Sequence, residues 1–361
     1  MKTIKMIIIS FFLLYGFNMF AQDPSFSQFY MNQTYYNPAF VGIHGGMMFN
    51  STYRRQWVNI PSKFETMYVN FDSDISCISG LGGIGFSAYR DSEGLGYLTN
   101  TGFKLSLSTR SFINQNTFVQ FGSSLSLIQQ KVDFSKFTFP DQYDPMNGLS
   151  NPTSFTFQTD SRILFPDISF GFVIKGGDGP KKGLFNSNFD YKIGASIDHL
   201  VSPKRSFLGQ EESIPKKIVL SANANIATNR TANFIFSPCF VFEKQDYMNT
   251  FLFGYNFTWG ETVYLGNWLR INNITTLSFT FGFNSKLYKY NNRVFDMLKF
   301  YYCYDITISG IDNTSTGGSH EIGIAYLFER SLCKFLGIGN SGNKHKRMRR
   351  IPCIEFKPAS Y

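Results

Sequence analysis

The stretch FKLSLSTR, Phe103 to Arg110, decides the fold. In an extended chain Phe103, Leu105 and Leu107 fall on one side, and Lys104, Ser106, Ser108 and Arg110 fall on the other. A strict period of two is the signature of a strand whose faces meet different surroundings. The pattern recurs along the chain. Val119, Phe121, Leu125 and Leu127 alternate with Gln120, Gly122, Ser124 and Ser126, and Ile168, Phe170, Phe172 and Ile174 alternate with Ser169, Gly171 and Lys175. Phe189, Tyr191, Ile193, Ala195 and Ile197 alternate with Asp190, Lys192, Gly194, Ser196 and Asp198. Later runs are Phe251, Phe253, Tyr255, Phe257 and Trp259, then Leu277, Phe279, Phe281 and Phe283. The last sets Ile322, Ile324, Tyr326 and Phe328 against Glu321 and Gly323.

Composition says which two surroundings these are. Forty-one Phe, twenty Tyr and three Trp make 18% of the 361 residues, while charged residues are only 16%. A soluble sandwich would wet one face of each strand, and that face would carry more charge. Lipid on one side and a polar lumen on the other accounts for both numbers, since a cation at the bilayer midplane costs ~2–4 kcal/mol while a lumen accepts it. Counting such runs from Met47 to Phe328 predicts an all-β transmembrane antiparallel barrel of about 14 strands, near the ~9–11 residues that cross a bilayer. Met47–Tyr53, Lys217–Ala227 and Tyr264–Ile271 alternate less cleanly. Parity offers an independent check, because outer connections of such barrels are the longer ones. The two longest gaps, Lys131 to Phe165 and His199 to Lys216, are the fifth and seventh connections. Both are odd, as termini on the periplasmic side require. The eleventh, at Asn272 and Asn273, is tight although it too should face outward.

Before the strands, Lys2 and Lys5, an apolar run from Met6 to Tyr15 and the small Ala21 form a secretory signal peptide, with cleavage expected between Ala21 and Gln22. The expected organisation is a signal peptide at 1–21, an aromatic-rich segment at 22–46, the barrel at 47–329 and a basic tail at 330–361. The segment QDPSFSQFYMNQTYYNPAFVGIHGG has neither strand nor helix period, and its ring content is too high for ordinary disorder. It is expected to pack in the lumen or across the periplasmic mouth, with Phe26, Tyr30, Tyr35 and Tyr36 as anchors.

The opening of that segment resembles the PorP/SprF family, outer-membrane proteins of the type IX secretion system of Bacteroidetes. The resemblance rests on Gln22-Asp23-Pro24, Phe26-Ser27-Gln28-Phe29 and Asn37-Pro38-Ala39, closing on Gly42. Arg55-Gln56-Trp57 at the end of the first strand adds to it, as does the closing pattern Tyr304-Asp305, Ser309-Gly310 and Ser319-His320-Glu321-Ile322. Gln33-Thr34-Tyr35-Tyr36 departs from a more aliphatic stretch in relatives. The likeness spans about Gln22 to Phe328. It implies an integral barrel that exports or retains particular type IX substrates, often large adhesins with a type B C-terminal signal, some of them used in gliding motility. It also implies contact with the periplasmic lipoprotein ring and trans-envelope motor.

After Phe328 some thirty residues follow, including KHKRMRR. Lys344, Lys346, Arg347, Arg349 and Arg350 account for over half of the formal net charge of +9. On the periplasmic side such a run can dock on an acidic partner, peptidoglycan or the anionic rim of the membrane; compartment excludes nucleic acid. Five Cys, at 77, 239, 303, 333 and 353, show no metal spacing. Cys333 and Cys353 flank the tail and could bridge in an oxidising compartment. His44, His199, His320 and His345 lack a second ligand at metal spacing, and no nucleophile-elbow, zinc-protease or phosphate-loop motif appears. No cofactor is expected. Gly80, Gly82, Gly83 and Gly85 read as kinks that curve a barrel wall. Three functions compete: a secretion-system component that binds an exported protein, a porin-like or fatty-acid-transporter-like barrel, and a structural anchor.

Overall fold

The computed structural model describes residues 23–94, 98–114, 116–154, 162–177, 188–205, 212–228, 234–260, 262–289, 293–328 and 330–337. The signal peptide, Gln22, the five tail cations and Cys353 lie outside them. Fourteen strands form a closed barrel: β1 (Met47–Gln56), β2 (Lys63–Asp74), β3 (Leu81–Gly94), β4 (Leu98–Phe112), β5 (Phe118–Lys131), β6 (Arg162–Gly177), β7 (Asn188–Asp198), β8 (Lys217–Thr228), β9 (Phe234–Gln245), β10 (Met248–Trp259), β11 (Val263–Ile271), β12 (Thr276–Lys289), β13 (Arg293–Thr307) and β14 (Ser319–Phe328). Every strand pairs antiparallel with its neighbours in sequence, and β1 closes on β14 from Met47↔Phe328 to Gln56↔Ser319. The three runs with poor alternation are among these strands.

The period of two places the side chains as the sequence requires. Phe103, Leu105 and Leu107 are exposed on the outer wall, as are Phe86, Phe121, Phe170, Phe253, Phe281 and Ile322. Ser106, Ser108, Gln120, Ser169, Lys192, Asp198 and Glu321 are buried on the inner one. Lys104 reaches Asp198 across the lumen at 3.6 Å. A continuous apolar exterior of this extent is unstable in water and is what a bilayer covers. No helix among the described residues is long and apolar enough to cross a membrane.

The wall has local devices the alternation does not announce. Three inward tyrosines each lie over the glycine directly across the ladder: Tyr89 over Gly102, Tyr264 over Gly282 and Tyr301 over Gly323. A Cβ at Gly102 would stand 2.6 Å from Tyr89 Cζ, and one at Gly323 2.6 Å from the Tyr301 hydroxyl. A ring thus fills the space its partner leaves vacant, the arrangement known as aromatic rescue.

Connections mark the two ends. The described parts of the fifth (132–154) and seventh (199–205 and 212–216) occur at one mouth, where Ile214 packs on the inward Ile128 and Phe165. At the other mouth the chain leaving β14 turns back. The Arg330 carbonyl accepts from Met47 N–H, and Leu332 N–H donates to Ser73 Oγ at 2.9 Å. Here one expectation is corrected: Cys333 is bonded to Cys77, in the β2–β3 turn, and so is not available to Cys353. The closed ring brings residues 256 apart together because β14 ends two strands away from β2.

Candidate functional site

Residues 23–46 occupy the lumen. Three short helical turns, Phe29–Met31, Gln33–Tyr36 and Pro38–Phe40, follow one another, with Asn32 and Asn37 at the joints. Asn37 is extended, as a residue before proline must be; its side-chain oxygen accepts from Ala39 N–H, and Pro38 occupies the first turn, where no N–H is needed. The rings of Phe26, Phe29, Tyr36 and Phe40, with Ile43, are buried against the inward Tyr68, Phe118, Val173, Val219, Val241, Leu252 and Trp268. Tyr30 and Tyr35 pack beside them, half-buried. A hydrated interior along the whole barrel is therefore not what the fold contains. Its middle is a packed apolar core, built from lumen-phase positions that are themselves apolar.

One side of the wall holds the segment by charge. Arg54 on β1 pairs with Asp305 on β13 at 2.7 Å and with Glu321 on β14 at 3.2 Å, all three side chains buried. Glu321 accepts the backbone N–H groups of Ser27 (2.7 Å) and Gln28 (3.1 Å), and Ser27 Oγ donates to Asp305 at 2.7 Å. Arg54 also donates to Ser27 Oγ, and Arg270 on β11 donates to the Phe26 carbonyl at 2.7 Å. The Gln28 amide donates to Thr280 and to Cys303 Sγ. Backbone donors without a partner in their own helical turn are thus satisfied by the wall, as buried polar groups must be.

The opposite side holds it by leaving room. A Cβ added to Gly83 would lie 2.7 Å from Gly42 Cα, one on Gly122 2.5 Å from Ala39 Cα, and one on Gly171 2.9 Å from Asn37 Cγ. The Asn37 amide donates to the carbonyls of Phe172 and Ala195, 3.1 Å each, which are register partners on β6 and β7. Ser108 and Gln120 donate to the Val41 carbonyl, Arg110 donates to that of Gly42, and Asp72 accepts Gly42 N–H. Gly42 has φ +71° and its own Cβ would meet Gly83 Cα, so both conformation and space demand glycine there. The register does slip between Leu81 and Gly83, as a kink requires. Yet the main consequence of Gly83 and Gly85 is the close approach of Val41 and Gly42.

The two ends of the segment lie at different mouths. Asp23 accepts from His199 at 2.9 Å and approaches Lys217 at 3.8 Å, while its N–H donates to Gln245. These partners flank the seventh and ninth connections. His199 also faces Asp167 at 3.1 Å. Burial opposes the charge on His199, but Asp23 and Asp167 outweigh it and raise its pKa to about 10. For Asp23, burial is outweighed by His199 and Lys217, which hold its carboxyl below the usual range. At the far mouth the Gly46 carbonyl accepts Asp74 N–H, beside the disulfide. Asp23 and Cys333 therefore stand at opposite ends of the barrel, whereas the sequence reading puts both ends of the mature chain on the same side. The physical reason is that residues 23–46 thread the lumen from one mouth to the other.

The expected site residues thus divide. Asp23, Pro24, Phe26, Ser27, Gln28, Phe29, Tyr30, Tyr35, Tyr36, Asn37, Pro38, Ala39 and Gly42 come together in the lumen. Gln56 and Trp57 lie outside it: Trp57, at φ +55°, donates its N–H to Gly318 and stacks edge-on with Phe64. Sequence reasoning missed Arg54, Arg270, Gly83, Gly122 and Gly171. The available signals were two charges and three glycines on the lumen phase of otherwise regular strands. The two stretches that carry the resemblance meet in space, since Ser27-Gln28 binds Asp305 and Glu321.

The family model described as type IX secretion system membrane protein PorP/SprF matches residues 18–326. No curated protein matches the sequence. Among solved structures the chain is similar to the CymD monoaromatic hydrocarbon channel, at 11% identity over 82% of this chain and 92% of that one, with a TM-score of 0.43. It is also similar to a Pseudomonas aeruginosa FadL homologue, at 10% identity over 87% and 96%, again with a TM-score of 0.43.

Proposed function

The chain belongs to the PorP/SprF family of type IX secretion system membrane proteins, and from that premise we propose that it is an occluded outer-membrane barrel that retains or helps export a particular surface protein. The substrate class is a large adhesin with a type B C-terminal signal, bound at the mouth formed by the long fifth and seventh connections. The periplasmic lipoprotein ring or motor, or peptidoglycan, is met at the other mouth, where Lys344, Lys346, Arg347, Arg349 and Arg350 dock. In this orientation Asp23 faces the outer side. The role is not enzymatic, a reading that the family's place as a secretion-system membrane protein supports.

One observation carries the reading. The lumen is filled by residues 23–46, with Phe26, Phe29 and Ala39 fully buried and the wall bonded to them from both sides. A solute conduit needs a continuous aqueous path, whereas a scaffold for other proteins needs a rigid barrel and differently equipped mouths.

Single-channel recording of the purified full chain in planar bilayers tests the occlusion. The chain should be silent, and steady conductance would favour the transport-barrel alternative. Co-purification from outer membranes tests the partners: a large repetitive surface protein and periplasmic machinery should accompany the barrel. Replacing the five tail cations with Gln should leave assembly intact and weaken recovery of the periplasmic partner alone.

A further inference from the structure

The disulfide is asymmetric in its exposure. Cys77 lies exposed in the β2–β3 turn, while Cys333 is only 5% exposed, covered within the short helix Leu332–Phe335. An incoming thiolate must approach along the S–S axis from behind the sulfur it attacks, so access decides which sulfur is taken. The end of β2 that leads into this turn is a joint between two other parts. Ser73 Oγ accepts the Leu332 N–H of the tail, and Asp74 N–H donates to the Gly46 carbonyl at the exit of the luminal segment. Asp74 also pairs with Arg110, which holds the Gly42 carbonyl. The other two cysteines among the described residues are placed as internal reporters. Cys303 is fully buried beneath the Gln28 amide, and Cys239 is buried in the luminal core. Neither can meet a reagent while the segment is in place.

We propose that the Cys77–Cys333 bond is a thiol-exchange site, a latch opened by attack of a dithiol reductant on Cys77 Sγ, which frees the tail's first residues from the β2–β3 turn while the lumen stays filled. In the first step the reductant's thiolate forms a new S–S bond to Cys77, the Cys77–Cys333 bond breaks, and the electron pair leaves on Cys333 Sγ, which takes a proton from solvent. In the second step the reductant's other thiol attacks its own sulfur in the mixed disulfide. That closes the reductant's disulfide and releases Cys77 as a thiolate. The chain gains two electrons and the dithiol loses them. The barrel survives because its fourteen ladders and the grip on Ser27 and Gln28 involve neither sulfur. The proposal does not depend on what, if anything, the tail docks upon.

The test uses the full mature chain in detergent micelles. Reduced glutathione is added as a one-thiol trap, and adducts are mapped by mass spectrometry. Glutathione should be found on Cys77, with Cys239 and Cys303 unmodified by maleimide. Dithiothreitol should then speed trypsin cleavage after Arg330 by about tenfold, as expected when a local tether rather than the whole fold is lost. C77S and C333S variants should show the fast cleavage without reductant; if either fails to assemble, the reduced wild-type barrel supplies the same readout. Adducts on Cys333, unchanged cleavage after reduction, or a bond that opens only when Cys303 also labels would each overturn the latch.

Discussion

The wall of this barrel holds residues 23–46 differently on its two sides. On β1, β11, β13 and β14 the grip is ionic, through Arg54, Arg270, Asp305 and Glu321 around Ser27 and Gln28. On β3, β5 and β6 missing side chains shape it, with Gly83, Gly122 and Gly171 letting Gly42, Ala39 and Asn37 approach the wall closely, beside bonds from Asp72, Ser108, Arg110 and Gln120. The ionic side fixes the segment by directional bonds whose loss leaves a buried charge alone. The glycine side fixes it by shape and fails when any atom is added. Charge can be lost by deleting a partner, and room can be lost only by filling it.

The largest effect is expected on the ionic side. Arg54→Ala leaves Asp305 and Glu321 buried without their cation, a loss of roughly 3–5 kcal/mol. Thermal unfolding in micelles should show it as a lower transition temperature, and Cys303 should become reactive to maleimide. An unshifted transition would mean that the wall does not depend on this triad.

On the glycine side Gly122→Leu should expel the stretch around Pro38–Ala39, at about 1–3 kcal/mol or more for overpacking. Expulsion should admit protease between Phe26 and Phe40 and produce bilayer conductance. If the leucine barrel stays silent and resistant, the close approach is not what positions the segment. Asn37→Ala is the milder probe of the same side. It removes two bonds to the wall and one cap bond, costing ~1–3 kcal/mol with two carbonyls less well satisfied; the expected result is partial protease sensitivity without full conductance.

The smallest effect concerns the Asp23 end, and it depends on pH. His199 has a folded pKa of about 10 against an ordinary 6.5, so its contribution is complete below 6.5 and is lost as pH rises through 10. Asp23 is lowered from 3.8, so its contribution is complete above 3.8 and is lost only as pH falls through its lower folded value. The end should be held best between 3.8 and 6.5. Cleavage near Asp23 should rise toward pH 10 in the native chain, and His199→Gln should flatten that rise. An equally steep profile in the variant would assign the effect to another group.

Much of the barrel was legible because alternation is a local property. Phe103 to Arg110 needs no knowledge of the rest of the chain to declare two faces, and the odd parity of the fifth and seventh connections puts them at one mouth. The lumen was harder. The aromatic density of 22–46 announces a segment that packs somewhere, but the wall positions that receive it are single residues on different strands. Val173, Val219, Val241, Leu252 and Trp268 are apolar on the lumen phase, and each looks like a lapse in alternation until the others stand beside it. Cys333 had an adjacent cysteine at 353 and its true partner at 77, with nothing in the spacing to prefer the distant one.

By itself, then, the sequence determined that the chain is a barrel, about how many strands it has and which side chains face lipid, since those follow from periods of two and from the cost of charge in hydrocarbon. Tertiary structure alone decided what fills the interior, which glycines make room for it, and which cysteines meet. Closing a ring makes neighbours of residues hundreds of positions apart, and contacts across a lumen leave no period in the chain.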